Sequence, residues 1–233
     1  MSIVAIITAR GGSKRIPKKN IREFLGKPII AYSIKAALES GIFDEIMVST
    51  DSQEIAEISK QYGATVPFFR SNKTSDDIAG TDEVLKEVIN EYKRIGKNFD
   101  NLCCIYPCAP LITADKINIA YRKFIETNCN SLLPVVKFSY PIQRALKANN
   151  DLISFRESEN IELRSQELES MFHDAGMFYF MKSASLIEYK NIFTPNTRYI
   201  ELNEAEVQDI DNETDWELAE LKYKIMNKEL TDV

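Results

Sequence analysis

The sequence predicts an α/β protein built on a doubly wound, mostly parallel sheet with one small inserted lobe. Three observations carry that expectation. Short β-branched apolar runs alternate with segments of helical period, and several runs are apolar on successive residues, as strands covered on both faces are. At 233 residues with 44% hydrophobic content, the chain can fill one sizeable core, so residues 1–233 read as a single domain.

Taken in order, Ile3 to Thr8 is the first strand. It breaks into a loop rich in glycine and cations, and Pro17 with the charges up to Asn20 keeps that loop extended. Ile30, Ile34, Ala37 and Leu38 mark a helix, followed by a strand from Glu45 to Thr50. Asp51, with Glu54 three residues on, starts a second helix through Ile55, Ile58 and Tyr62, and Gly63 stops it. Val66 to Arg70 reads as a strand, and Val84, Leu85, Val88, Ile89, Tyr92 and Ile95 share one helical face.

The strand Leu102 to Tyr106, a helix over Asp115 to Thr127 and the strand Leu132 to Lys137 continue the rhythm. It fails over residues 138–172, a polar segment with a turn signal at Asn149-Asn150-Asp151, which reads as the inserted lobe. Strands over Met177 to Met181 and Arg198 to Leu202 follow. A last helix from near Asn212 carries Trp216, Leu218, Leu221 and Ile225.

Charge is unevenly placed. The net charge of −6 argues against a nucleic-acid partner, because such binding rests on basic surface. Yet Arg10, Lys14, Arg15, Lys18, Lys19, Arg22 and Lys27 face only Glu23 in the head of the chain. Between Glu201 and Glu217 stand eight acids and no cation, so the two segments could meet around a metal and a polyphosphate. Cys103, Cys104, Cys108 and Cys129 lack the spacing of a zinc site, and the first three fall in an apolar run as core thiols. No apolar stretch reaches membrane-spanning length and only two residues precede the first strand, so neither a span nor a signal peptide is expected. A cytoplasmic protein is.

In an open α/β sheet the crevice lies at the carboxyl ends of the strands, where Ala9 to Asn20 falls. Gly11 and Gly12 permit close approach of backbone N–H groups to an anion, and Arg10, Lys14 and Lys19 can hold phosphate oxygens. The spacing matches neither a Walker loop nor a dinucleotide fingerprint. Asp209 and Asp211 flank Ile210, so on an extended segment both carboxylates share a face, which suits Mg²⁺. The same acids would equally serve a helix start, with Asp211 or Asn212 as its cap.

The string R-G-G-S-K-R-I-P-K-K-N, residues 10 to 20, resembles the signature loop of the cytidylyltransferases that activate sialic acids and related nine-carbon keto acids. The similarity continues in V-S-T-D-S-Q-E-I-A (48–56), Y-G-A-T-V-P-F-F-R (62–70), Y-P-C-A-P-L (106–111) and Q-D-I-D-N-E-T-D (208–215). R-S-Q-E-L-E-S-M-F-H-D-A-G (164–176) looks most like the branch acting on pseudaminic acid.

The resemblance implies a Rossmann-like sheet of the nucleotide-diphospho-sugar transferase type and transfer of CMP from CTP to a 2-keto sugar acid, with Mg²⁺ as cofactor. It also implies a homodimer whose subunits exchange the lobe. For the nucleotide it implies contacts from Ala9, Arg10, Gly11, Gly12, Ser13, Lys14, Lys19, Asn20, Arg70, Asp77 and Thr81, with Asn20 reading cytosine. For the sugar it implies Tyr106, His173 and Arg164, the last on the carboxylate. Arg10, Lys14, Lys19, Asp209 and Asp211 would carry catalysis, while Asp209 and a metal-bound hydroxide both qualify as the base. Sialic, legionaminic or shorter keto-deoxy acids are the alternative acceptors, and a catalytically silent nucleotide-binding regulator is the alternative from another class.

Overall fold

A computed structural model of the chain describes residues 1–75 and 79–228. The strands in chain order are β1 (Ile3–Thr8), β2 (Glu23–Phe24), β3 (Lys27–Pro28), β4 (Glu45–Ser49), β5 (Asn101–Ile105) and β6 (Ser131–Lys137). They continue with β7 (Leu146–Asn149), β8 (Leu152–Phe155), β9 (Phe172–Asp174), β10 (Phe178–Lys182) and β11 (Thr197–Leu202). The helices are α1 (Ile30–Ser40), α2 (Gln53–Gln61), α3 (Thr81–Arg94), α4 (Ala114–Glu126), α5 (Ser183–Tyr189) and α6 (Glu213–Met226).

The main sheet has the order β11-β6-β10-β5-β1-β4, with β9 added against β6. β4, β1, β5, β6 and β11 share one direction, and β10 and β9 run against it. The unbroken apolar run of β1 now has a cause. Ile3, Ala5 and Ile7 enter one core with Ile34 and Phe124, whereas Val4 and Ile6 enter the core on the other face with Leu85 and Tyr92. Among the described residues no helix is long and apolar enough to cross a membrane.

Two sequence expectations need correction. Val66 to Arg70 is not a strand: only Thr65 bridges to Met47, because Pro67 lacks the N–H a ladder requires. Cys103 and Cys104 are core thiols as expected, but Cys108 is only partly buried and faces the crevice. The last helix also turns differently from its apolar pattern. Trp216 and Ala219 are buried, while Leu218, Leu221 and Ile225 are exposed.

Helix starts bring one further correction and settle one open choice. Ser52, not Asp51, caps α2 by accepting from the Ile55 N–H at 3.4 Å. Asn212 caps α6, accepting from Asp215 N–H at 3.0 Å while the Asp215 carboxylate takes the N–H groups of Asn212 and Asp211. The Asp211 carboxylate is therefore not consumed by capping.

Within residues 138–172, β7 and β8 form a hairpin whose eight residues are all exposed. Its turn residues Asn150 and Asp151 both have positive φ (46° and 62°), the conformation a two-residue hairpin turn demands and Asn and Asp tolerate. Separately, Ile16, Phe24, Ile29, Ile210, Trp216 and Ala219 form a satellite core. That small core joins the cationic loop, the β2–β3 hairpin, the acidic segment and α6.

Candidate active site

The crevice opens at the carboxyl ends of β1 and β5. It is a cavity of about 250 Å³ reached by Arg10, Ser13, Lys14, Lys19, Asn20 and Asp209, with Tyr106 and Cys108 on its wall. Residues separated by nearly two hundred positions meet there because Ile16 and Ile210, each 1% exposed, are packed in the same satellite core. Lys19 makes the polar link, donating from Nζ to the Ile210 carbonyl at 2.6 Å. The cationic loop and the Asp209–Asp211 segment are thereby fixed to each other.

The loop is held by partners outside it. Gly11 donates its N–H to Asp51 Oδ1 at 2.8 Å, and a Cβ there would meet Ser52 Cβ at 3.2 Å. Glycine at this position thus serves a close backbone passage, and its N–H is already used instead of being offered to a phosphate. Ala9 is buried and donates to the Ser49 carbonyl, while Gly12 is exposed. Lys18 and Arg22 pair with Glu54 and Glu213, and Arg22 also lies 4.5 Å over the Trp216 ring.

Asn20 is buried at 5% exposure inside the crevice wall. Its amide nitrogen donates to the Arg10 carbonyl at 2.8 Å, and its amide oxygen accepts from the Cys108 thiol at 3.1 Å. Burial pushes the Cys108 pKa up to about 12, which keeps that thiol a donor. The amide retains one N–H and one oxygen lone pair for a ligand.

Burial and then the neighbouring Asp211 raise the Asp209 pKa, with Lys19 acting in the opposite sense. Asp209 lines the crevice, and Asp211, which does not, stands near enough to repel it; a divalent cation would relieve that repulsion, and Mg²⁺ takes one or two carboxylates beside water and phosphate oxygens. The residues fit that ion. Asp211 is presently paired with Arg15 at 2.6 Å.

A second cavity, of about 320 Å³, shares Asp209 with the first and is reached by His173, Asp174, Glu204, Gln208 and Lys222. His173 Nδ1 lies 2.9 Å from the Asp174 carbonyl and, facing an acceptor, donates to it, which turns Nε2 away from that contact. Asp174 accepts from Gly176 N–H and, at 2.7 Å, from the Tyr179 hydroxyl. Tyr179 packs edge-on to Tyr106 at 5.3 Å, and the Tyr106 hydroxyl lies 3.2 Å from Thr81 Oγ1. A polar chain therefore runs along the back of both cavities.

Not every expected residue is brought here. Arg70 is 8% exposed, and its guanidinium donates to Ser49 Oγ and the Ser49 carbonyl at 3.2 and 2.8 Å. It is not among the residues lining the crevice, and burial lowers its pKa. Its place is against the end of β4, which it braces through Ser49. Arg164 sits in the lobe at the start of a short 3-10 turn, its N–H bonded to Glu167 Oε2, and lines neither cavity. Asp77 lies outside the described residues.

Sequence reading missed the Arg15, Cys108, Gly176 and Lys222 contributions. Arg15 and Cys108 stand inside quoted motifs, so a signal existed. Lys222 is one lysine on a helix and offered none. Burial lowers the Lys222 pKa, and its Nζ donates to the Glu204 and Val207 carbonyls at 3.0 and 2.7 Å.

Comparison with known proteins agrees with this chemistry. The family model described as Cytidylyltransferase matches residues 4–209. A pseudaminic acid cytidylyltransferase of Campylobacter jejuni is 44% identical over 227 residues, 97% of each chain. The CMP-N,N'-diacetyllegionaminic acid synthase of Legionella pneumophila is 32% identical, covering 98% of this chain and 99% of that one. A solved CMP:2-keto-3-deoxy-manno-octonic acid synthetase, complexed with CTP, superposes with a TM-score of 0.72 over 99% of this chain and 100% of that one, at 18% identity, and so speaks to the fold. From the matched family and from relatives covering nearly the whole chain it follows that this chain belongs to the CTP-dependent cytidylyltransferases that activate nonulosonate sugar acids.

Proposed function

We propose that the chain transfers CMP from CTP to the anomeric 2-hydroxyl of pseudaminic acid. The carrying observation is the bond from Lys19 Nζ to the Ile210 carbonyl, which sets a cationic loop and a pair of aspartates across one crevice. In the first cavity Arg10, Ser13, Lys14 and Lys19 bind the triphosphate, and the remaining amide valences of Asn20 read the cytosine edge. The acceptor occupies the second cavity, so its hydroxyl meets the α-phosphorus near Asp209, the residue both cavities share. Attack forms the new P–O bond as the bond to the β-phosphate oxygen breaks; the hydroxyl proton passes to Asp209, the carboxylate both cavities share, and pyrophosphate leaves.

Catalysis on this reading is positioning plus charge stabilisation. Asp209 and Asp211 would hold Mg²⁺, which when bound neutralises charge on the phosphate oxygens. Arg15, paired here with Asp211, would free that carboxylate by turning to the polyphosphate, and Lys19 holds the Ile210 carbonyl between the two aspartates. Tyr106 and the imidazole of His173 line the side where the sugar's substituents would lie.

The acceptor assignment is supported by the relative at 44% identity, against 32% for the legionaminic relative. We further propose a homodimer and a cytoplasmic location. The exposed apolar residues Leu146, Leu152, Ile153 and Phe155 of the lobe hairpin favour a second copy, and four free cysteines suit a reducing compartment. In a dimer with exchanged lobes, Arg164 of one subunit would approach the other's acceptor cavity.

The test is direct. Purified protein with Mg²⁺, CTP and pseudaminic acid should release pyrophosphate and yield a CMP-linked sugar acid by mass spectrometry. Release with legionaminic acid or a keto-deoxy octonic acid, but none with pseudaminic acid, would reassign the acceptor while leaving the cytidylyl transfer standing.

A further inference from the structure

The acceptor of this reaction is an anion, and the cavity beside Asp209 is poor in cations. Three carboxylates border it, those of Asp174, Glu204 and Asp209, together with His173 and a single ammonium, that of Lys222. Asp174 is occupied by the Gly176 N–H and the Tyr179 hydroxyl, Asp209 belongs to the phosphate side, and Glu204 faces Lys222 electrostatically without an ion pair within 4 Å. Arg164 lines neither cavity within its own chain.

We propose that Lys222 reads the carboxylate of the acceptor sugar acid, a role that rests on the cytidylyl-transfer reading above. Two of its three N–H bonds go to the Glu204 and Val207 carbonyls. These contacts fix the ammonium at the cavity wall and leave the third N–H for an anion. They also tether α6 to the segment leading into Asp209, so a carboxylate bound here lies beside the residue around which the chemistry is organised. An ammonium drawn out of bulk water and held by two fixed carbonyls has lost little further entropy to give up when it pairs. A carboxylate is the acceptor's one anionic group, so Lys222 would orient the sugar without distinguishing its acyl substituents.

The rival role is structural: Lys222 would only close the carbonyls of the turn before Val207. The two roles separate in kinetics. Lys222→Gln keeps a donor for one carbonyl but removes the charge, and Lys222→Arg keeps the charge. If Lys222 reads the carboxylate, Lys222→Gln raises the acceptor KM by about tenfold or more, the scale of a lost charge-assisted hydrogen bond, while the CTP KM stays within about twofold. Lys222→Arg should recover part of the loss. With the acceptor's methyl ester as substrate, wild type and Lys222→Gln should differ by less than about twofold, because no carboxylate remains to be read.

Equal rises in both KM values, or an equal penalty for acid and ester, would overturn the assignment and leave Lys222 as a turn anchor. Should Lys222→Gln fold poorly, Lys222→Met, which keeps the stem and removes the charge, carries the same acid-against-ester comparison, and equal affinities of wild type for acid and ester would refute the proposal outright. Arg164→Gln, assayed in parallel, shows whether the lobe supplies the carboxylate contact instead, since a large acceptor KM effect there with none at Lys222 also refutes the proposal. Wild-type turnover of CTP with the free acid tests the underlying reaction, so its failure is distinguishable from failure at Lys222.

Discussion

Ile210→Ala is the substitution that most directly probes how this fold makes a site. Ile210 is 1% exposed, packed with Ile16 and Trp216, and stands between the two aspartates. Removing three carbons from a buried isoleucine costs about 2–5 kcal/mol, and a satellite core that can partly collapse belongs at the lower end, about 2–3 kcal/mol. For a chain of this size each kcal/mol moves Tm by about 2–4 °C, so a drop of about 5–10 °C is expected. Activity should fall further than stability explains, because a displacement of about 1 Å at the reacting centre costs about 100-fold. Trp216, the only tryptophan, shares that core and gives a local signal. Its fluorescence should begin to change at lower urea than the far-ultraviolet circular dichroism of the sheet. A variant with the lowered Tm but wild-type kcat and Mg²⁺ dependence would refute the coupling between satellite core and site.

Asp209→Asn should lower kcat by at least about 100-fold at low Mg²⁺ with the fold retained, as removal of a charge-stabilising group does, and full activity would dismiss its role. Asn20→Ala should abolish much of the excess melting stabilisation by CTP over ATP, GTP and UTP, read by differential scanning fluorimetry at equal concentrations; an unchanged preference places cytosine reading elsewhere. Glu87 offers a pH test. Burial pushes its pKa up, but hydrogen bonds from Thr74 and Ser71 outweigh that and hold it below the ordinary carboxylate value. Its contribution is therefore present above the unfolded pKa and lost as pH falls through the depressed one, so Glu87→Gln should lower Tm at pH 7 and lose that deficit in acid. A deficit independent of pH would contradict the ionised contact.

The legible part of this protein was local. β1 announced itself because a strand covered on both faces needs no alternation, and Asn149-Asn150-Asp151 announced a turn, though not the hairpin it closes, because Asn and Asp tolerate the positive φ at 150 and 151. The loop from Arg10 to Asn20 and the pair Asp209 and Asp211 carried enough chemistry in sequence to be paired before any fold was drawn. Val66 to Arg70 misled because its composition is β-like while Pro67 breaks the ladder, and Arg70 turns its guanidinium to Ser49 at the end of β4. On α6 the sequence named Trp216, Leu218, Leu221 and Ile225 without telling them apart, and the helix docks through Trp216 and Ala219 while the other three are exposed. The second cavity was illegible for a different reason. His173 follows β6 through a long lobe and Lys222 comes from the last helix, so only the tertiary fold brings them to one wall.

The central claim is that this site selects pseudaminic acid as the acceptor for CMP. One reaction measures it: equimolar pseudaminic and N-acetylneuraminic acids compete for limiting CTP, and the ratio of the two CMP-sugars, counted by mass at low conversion, equals the ratio of their kcat/KM values. The account predicts a ratio of at least about 100 in favour of pseudaminic acid, a gap that misplaced polar groups in a shaped pocket can produce. A ratio near one, or one favouring N-acetylneuraminic acid, would contradict it.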